Sequence, residues 1–311
     1  MLNSDLGVVC CYFNPCNYKK KHSNFIRFYE SLSSQVSRIQ VVELTFDDHS
    51  SLPDYVKPLT VKSKGPLWHK ENLLNLGIDL LLAEGFENIA WLDSDVLFLD
   101  PSWAFDAVTT LEKYKICQLF SSSESFDHGG KPKYMSGCVR YWLESGNILP
   151  VNQAYSMGYG WAAKSEVLAN CRLYDKSIIG GGDSLIWLSC FSETHNIHKI
   201  MEHHPITKLQ CYPYYTNFIE WSELWGYLIE GSVFCTFNPI ISLSHGSFSN
   251  RNYGTRYEIL STLNYNPAFD LYYNDMGVLE SRKPELYRAV FNYLKNRNED
   301  ELQWLQKWLK T

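Results

Sequence analysis

The sequence predicts an α/β protein with a mixed, mainly parallel sheet flanked by helices and a helical extension at its C-terminal end. Three observations predict it. Short β-rich apolar runs at 6–13 and 88–92 read as buried strands, and 39–44 has strand character between them. Stretches with apolar residues at helical spacing separate them. The run 88–92 delivers Asp93 and Asp95 to a strand end, the crevice where open α/β sheets hold ligands.

The elements follow in order. The first run ends in the turn cluster Asn14-Pro15-Cys16-Asn17. Ser23 is placed to cap a helix carrying Phe25, Ile26, Phe28, Tyr29 and Leu32, and strand 39–44 completes a β-α-β unit. Pro66 precedes a helix over 68–84 with Leu73, Leu74, Ile78, Leu81 and Leu82 on one face, and Gly85 stops it. Strand 88–92 comes next, with Pro101 beyond its acids. From 115 the alternation loosens into a strand over 115–120, a polar loop over 121–133, a helix over 137–146 and a strand over 158–163. A short helix over 164–171, the turn Gly180-Gly181-Gly182 and a helix over 183–191 follow. The tail 283–311 reads as helical, with Leu286, Val290, Leu294, Leu302, Leu305, Trp308 and Leu309 repeating on a face. The economical division is one domain over 1–265 with the extension 266–311 packed on it.

Composition narrows the function. With 311 residues, 45% of them hydrophobic, the chain can bury a large core, which excludes disorder as its main state. A net charge of −6, with no basic run longer than Lys19-Lys20-Lys21, gives no footprint for nucleic acid. No apolar stretch approaches the ~20 residues that span a bilayer. The N-terminus lacks the charged and apolar regions of a secretory signal, and nine cysteines without paired spacing read as reduced thiols. A cytoplasmic protein is expected. Trp304 and Trp308 leave peripheral contact with a membrane open, packing on the domain being the default.

Three clusters carry chemistry. Asp93 and Asp95 repel unless a cation lies beside them, and hard oxygen ligands suit Mg²⁺ or Mn²⁺ bridging to a diphosphate; the same residues also fit a turn cap and a solvated acid. In Gly180-Gly181-Gly182-Asp183-Ser184 the glycines allow close approach to a ligand and Asp183 faces it, or Asp183 is simply an N-cap. In Ser244-His245-Gly246-Ser247 a strand end places an imidazole at the sheet rim, to ligate a metal, meet phosphate or make an ordinary hydrogen bond. Arg251 and Arg256 downstream are candidate clamps for phosphate or carboxylate, or members of a solvated face. The aromatic stretches 212–215 and 221–225 are candidates for an acceptor groove, with core packing the better reading.

Order and spacing of Trp68-His69-Lys70-Glu71-Asn72-Leu73-Leu74-Asn75-Leu76-Gly77, Trp91-Leu92-Asp93-Ser94-Asp95-Val96, Gly158-Tyr159-Gly160-Trp161, Gly181-Gly182-Asp183 and Ser244-His245 resemble glycosyltransferases of the GT-A fold, most of all the β-1,4-galactosyltransferase type. That family has a helix with Leu-Leu-Asn-x-Gly, a strand ending in Asp-x-Asp, a Gly-Gly-Glu-Asp turn and a late metal-binding His. The resemblance spans 6–260. It implies a Rossmann-like fold and metal-dependent transfer of a hexose, with inversion, from a nucleotide-diphosphate sugar, a UDP-sugar first among them. The acceptor would be a glycan, a lipid-linked acceptor or a protein. Asp95 and His245 would ligate Mn²⁺ (or Mg²⁺), and Asp93 would touch the donor sugar or ribose or share the ion. Asp183 would be the general base, and Lys70 or Arg251 would assist the leaving group. By position, Phe13, Asn14, Asp47 and Asp48 would meet base and ribose.

The sequence departs from that pattern at four places. Gly182 replaces a Glu, Ser184 an Asp, Ile179 a sugar-stacking Trp for which Trp161 or Tyr159 is the substitute, and Ser242 a Met ligand. Without the stem or disulfides of the secreted relatives, a bacterial, viral or other cytosolic transferase is expected. A retaining GT-A transferase and a non-catalytic nucleotide-sugar or carbohydrate-binding protein are the alternatives. A nucleotidyltransferase is disfavoured, because no Gly-rich phosphate loop follows the first strand.

Overall fold

The computed structural model describes residues 5–301 apart from 48, 127–130, 152–154, 203 and 209–211. Asp48 and the tail positions Leu302, Trp304, Leu305, Trp308 and Leu309 therefore lie outside the described residues.

The apolar run β1 (Leu6–Phe13) is buried along its whole length, as its composition requires. It leads through α1 (Lys19–Ser33) to β2 (Ile39–Thr45) and β3 (Leu59–Lys62), and then α2 (Lys70–Ala83) precedes β4 (Asn88–Leu92). After β5 (Val96–Phe98) come α3 (Trp103–Lys113), β6 (Ile116–Gln118), β7 (Ser122–Phe126) and β8 (Pro132–Gly137). The chain continues through α4 (Cys138–Ser145), β9 (Tyr155–Ser156), β10 (Gly160–Lys164), α5 (Ser165–Asn170) and α6 (Gly182–Ser189). A long helix, Tyr212–Ile229, leads to β11 (Val233–Cys235) and β12 (Pro239–Ser242), and a further helix occupies Pro284–Asn296.

The main sheet has seven strands in the order β11-β6-β10-β4-β1-β2-β3. Only β10 runs against its neighbours, so the sheet is mixed and mainly parallel. Alternate residues of β1 enter opposite cores: Val9, Cys11 and Phe13 on one face, Val8, Cys10 and Tyr12 on the other. A second sheet, β5-β12-β7-β8-β9, meets the carboxyl end of β4. Its antiparallel β12–β5 ladder pairs Ser242 with Val96, which brings residues 243–245 alongside Asp95.

Three expectations need correction. The segment expected as a loop over 121–133 holds β7 and the start of β8, paired antiparallel; their serines and charges fit strands with one face towards water. Ser23 lies inside α1, whose first amides are instead capped from far along the chain by Asp300, which accepts from Lys19 N at 3.0 Å and Lys20 N at 2.7 Å. The tail is not continuously helical, since the helix from Pro284 stops at Asn296 and Asn298 takes a left-handed φ of 47°. The aromatic stretch around 212–225 is largely core, Tyr214 and Trp225 being fully buried.

α2 packs closely on the sheet at Gly77, where a β-carbon would overlap Val9 Cγ2 and lie 3.2 Å from Val42 Cγ2. Gly77→Ala should gain about 1 kcal/mol of helix propensity and lose about 1–3 kcal/mol to overpacking. The net outcome expected in urea unfolding is a lower midpoint, and an unchanged or raised midpoint contradicts the close approach.

Candidate active site

The end of β4 divides its two acids between two sets of partners. Asp93 Oδ1 lies 2.5 Å from Lys70 Nζ, and its Oδ2 accepts from Tyr159 N at 3.1 Å. The amide of Asp93 in turn donates to Tyr159 O at 2.8 Å, so the segment leading into β10 holds both the backbone and the carboxylate of Asp93. That segment carries backbone strain: Tyr159 has φ 78°, a conformation costly for an aromatic residue and typical of sites that aim a group.

Lys70 stands in the first turn of α2 and joins Asp93 to Asp183, donating to Asp183 Oδ1 at 2.9 Å and Oδ2 at 2.8 Å. Burial alone disfavours its ammonium, yet Asp183, Asp93 and Glu71 hold its pKa well above the ordinary value. Burial raises the pKa of Asp183, Lys70 pulls it back and Asp93 raises it further. Gly158 lies between the two acids, where a β-carbon would sit 3.3 Å from Asp183 Oδ2 and 3.5 Å from Asp93 Oδ2. The space between the carboxylates is therefore free of a side chain at 158. Asp183 lies in the first turn of α6, whose N-cap is Gly181 with φ 100°.

Asp95 belongs to the second set. Leu243 N donates to Asp95 O at 2.7 Å, and His245 Nε2 approaches Asp95 Oδ2 to 2.7 Å. Arg251 Nη2 lies 3.2 Å from the same ring nitrogen and donates to the His245 carbonyl at 3.3 Å. Burial works against the imidazolium, but Asp95 and Glu299 raise the His245 pKa overall. Asp95 would itself be raised by burial, and His245 and Arg251 bring it below the ordinary carboxylate range.

Two ligands at ~2.1 Å in octahedral geometry lie ~3.0 Å apart, close to the observed separation of Asp95 Oδ2 and His245 Nε2. Asp95 Oδ1 is moreover buried without a hydrogen-bond partner. The pair therefore fits a hard divalent cation. Among the described residues no group of three or more His, Cys, Asp or Glu forms a metal cage, so these two side chains are the protein ligands the site offers.

The other expected residues are placed as follows. Phe13 ends β1 with its ring edge-on to Trp68 at 5.7 Å and Lys21 Nζ 4.3 Å above it. Asn14 accepts from Tyr18 N at 3.0 Å and donates to Tyr18 O at 2.9 Å, ordering the loop into α1. Asp47 is exposed and accepts from His49 N at 3.1 Å; buried Glu43 orders that loop, accepting from Ser51 N at 2.8 Å. Trp161 cannot be a stacking platform, since it is fully buried with its indole N–H on Met157 O.

Sequence reasoning passed over Glu71, Lys21, Arg297 and Glu299. Glu71 is 2% exposed and its Oε1 has no hydrogen-bond partner. A β-carbon on Gly182 would overlap this carboxyl, so the absence of a side chain at 182 makes room for the acid from α2. Lys21 and Arg297 add positive charge near Asp95 and His245, with burial lowering the Lys21 pKa and Glu299 opposing it. The run Lys19-Lys20-Lys21 was a faint signal for one of them; Arg297 and Glu299 had none.

No family model matches the chain, and no curated protein matches it. Solved structures similar to it include glucosyl-3-phosphoglycerate synthase from Mycobacterium tuberculosis in complex with Mn²⁺, UDP and glucosyl-3-phosphoglycerate, at 11% identity and TM-score 0.43, covering 83% of this chain and 78% of that one. The catalytic domain of Drosophila β1,4-galactosyltransferase 7 in complex with xylobiose matches at 10% identity and TM-score 0.35, covering 59% of each chain.

Glu71 makes the site pH-sensitive. Burial and the acids Asp183 and Asp93 raise its pKa from 4.5 to about 8, against the pull of Lys70. Between those values the folded chain holds a proton that the unfolded chain has released, so stability falls as pH rises and then levels off. Glu71→Gln should flatten that slope, measured as urea midpoints at about pH 5 and about pH 8. An unchanged slope would show that Glu71 is ionised in the folded chain.

Proposed function

We propose that the chain is a metal-dependent glycosyltransferase of the GT-A fold, moving a sugar from a nucleotide-diphosphate sugar to an acceptor hydroxyl with inversion. The observation that carries the proposal is the 2.7 Å approach of Asp95 and His245, residues 150 positions apart, beside a second acid cluster at the same strand end. The bound Mn²⁺ or Mg²⁺ would supply Lewis-acid stabilisation to the departing diphosphate. Its protein ligands would be Asp95 and His245, with Arg251 adding positive charge where phosphate oxygens collect.

Asp93 faces the side of Gly158, where it meets the donor sugar or ribose. Asp183, with its pKa raised by burial, takes the proton of the acceptor hydroxyl. As the acceptor oxygen bonds to the anomeric carbon, the carbon–oxygen bond to the diphosphate breaks and its electron pair leaves with the diphosphate. Lys70 aims Asp183 and Asp93 together and keeps two half-buried carboxylates from repelling each other. The Mn²⁺ and UDP of the mycobacterial synthase complex agree with a UDP-sugar as first donor to test.

Thermal shift with a panel of nucleotide sugars, with and without Mn²⁺, tests the donor class, since a ligand that binds only the folded chain raises its stability. Stabilisation by a UDP-sugar in Mn²⁺ and none after chelation is expected; equal shifts with and without the ion would remove Asp95 and His245 as its ligands. Asp183→Asn should lower turnover ~10²–10⁴-fold and leave donor binding in place. Parallel loss of donor affinity would make Asp183 a binding residue, and a product of retained configuration would exclude it as the base.

A further inference from the structure

The segment that follows the helix Pro284–Asn296 reaches the proposed ion site from outside the motifs that suggested it. Glu299 is 5% exposed, and its Oε2 lies 3.5 Å from His245 Nδ1, the ring nitrogen opposite the one that meets Asp95. That Nδ1 is itself buried and makes no hydrogen bond, the Glu299 carboxylate standing at ion-pair distance from it. The other carboxylate oxygen is fixed by Arg297 Nη2 at 2.7 Å, and the Arg297 guanidinium lies 5.1 Å over the Trp68 ring.

The backbone is locked as well. A β-carbon on Gly246, which has φ 57°, would sit 3.0 Å from Arg297 O and 3.1 Å from Glu299 Cα, so residues 297–299 pack directly against the residue after His245. Asn298 N donates to Tyr18 OH at 3.1 Å, and Asp300 caps α1. Glu299 thus reaches the imidazole from a segment anchored on both sides.

Without an ion, the Nε2 side of the ring meets Asp95. To accept an ion there, Nε2 must present its lone pair, and the ring's proton must reside on Nδ1. A carboxylate against Nδ1 stabilises that tautomer and fixes the ring plane. Resting on the reading of Asp95 and His245 as ion ligands, we propose that Glu299 is a positioning residue that holds His245 with its Nδ1 proton towards the C-terminal segment and Nε2 free for the divalent cation. Glu299 acts through His245 and leaves the open coordination positions to donor and water.

The full chain with His245→Ala, Glu299→Ala and Glu299→Gln tests this. Mn²⁺ affinity is read from free-ion EPR, with and without UDP, and the His245 ring is read by ¹⁵N NMR in Mg²⁺. His245→Ala should abolish site binding. Glu299→Ala should weaken Mn²⁺ about 10–100-fold and lose the hydrogen-bonded Nδ1 proton signal. Glu299→Gln, which keeps an acceptor oxygen and the side-chain volume, should recover most of both. Glu299→Ala binding Mn²⁺ like the wild type while His245→Ala does not would overturn the role of Glu299 and leave the ion site standing. Weakened binding with an unchanged Nδ1 signal would likewise overturn it. Equal Mn²⁺ binding by wild type and His245→Ala would sink the ion site itself, and the role of Glu299 with it.

Discussion

The arrangement depends on how this chain keeps several acids at one strand end in a buried setting. Carboxylates brought together out of water repel each other and lose hydration, and each needs a cation or a proton. Lys70 meets that need for Asp93 and Asp183, His245 and Arg251 meet it for Asp95, and Glu71 meets it by keeping its proton. The sheet supplies the scaffold: β4 ends at the acids, α2 begins at Lys70, and the β12–β5 ladder delivers His245.

The parts of this fold that could be read from sequence are those whose pattern is local. β1, and β4 beyond Asn88, are apolar because both faces are covered, and α2 shows its packed face as Leu73, Leu74, Ile78 and Leu81. The β7–β8 hairpin escaped notice because Ser122, Glu124 and their neighbours resemble a loop when one face is wet. The start of α1 was misplaced for a different reason: Ser23 is a plausible local cap, but Asp300 does the capping from the other end of the chain.

The site shows the same division. Asp93, Asp95, Asp183 and His245 stand in short motifs with recognisable neighbours. The hydrogen bonds among them are tertiary, and the sorting of Asp93 to Lys70 and of Asp95 to His245 follows from the turn between β4 and β5. Glu299 falls between Leu294 and Leu302 in a tail whose pattern reads as helix and carries no motif, so only its packing on Gly246 gives it meaning. The Gly182–Glu71 contact is legible only in pairs: the turn lacks a side chain where α2 contributes a carboxyl.

The capping of α1 by Asp300 beside Glu299 joins stretches of chain 280 positions apart. Contacts so distant in sequence form only after the intervening chain has closed its loop, at an entropic cost that the neighbouring strands β1 and β2 largely escape. The first turn of α1 and the far side of the His245 ring are therefore ordered together, by one four-residue stretch, in a late step of folding.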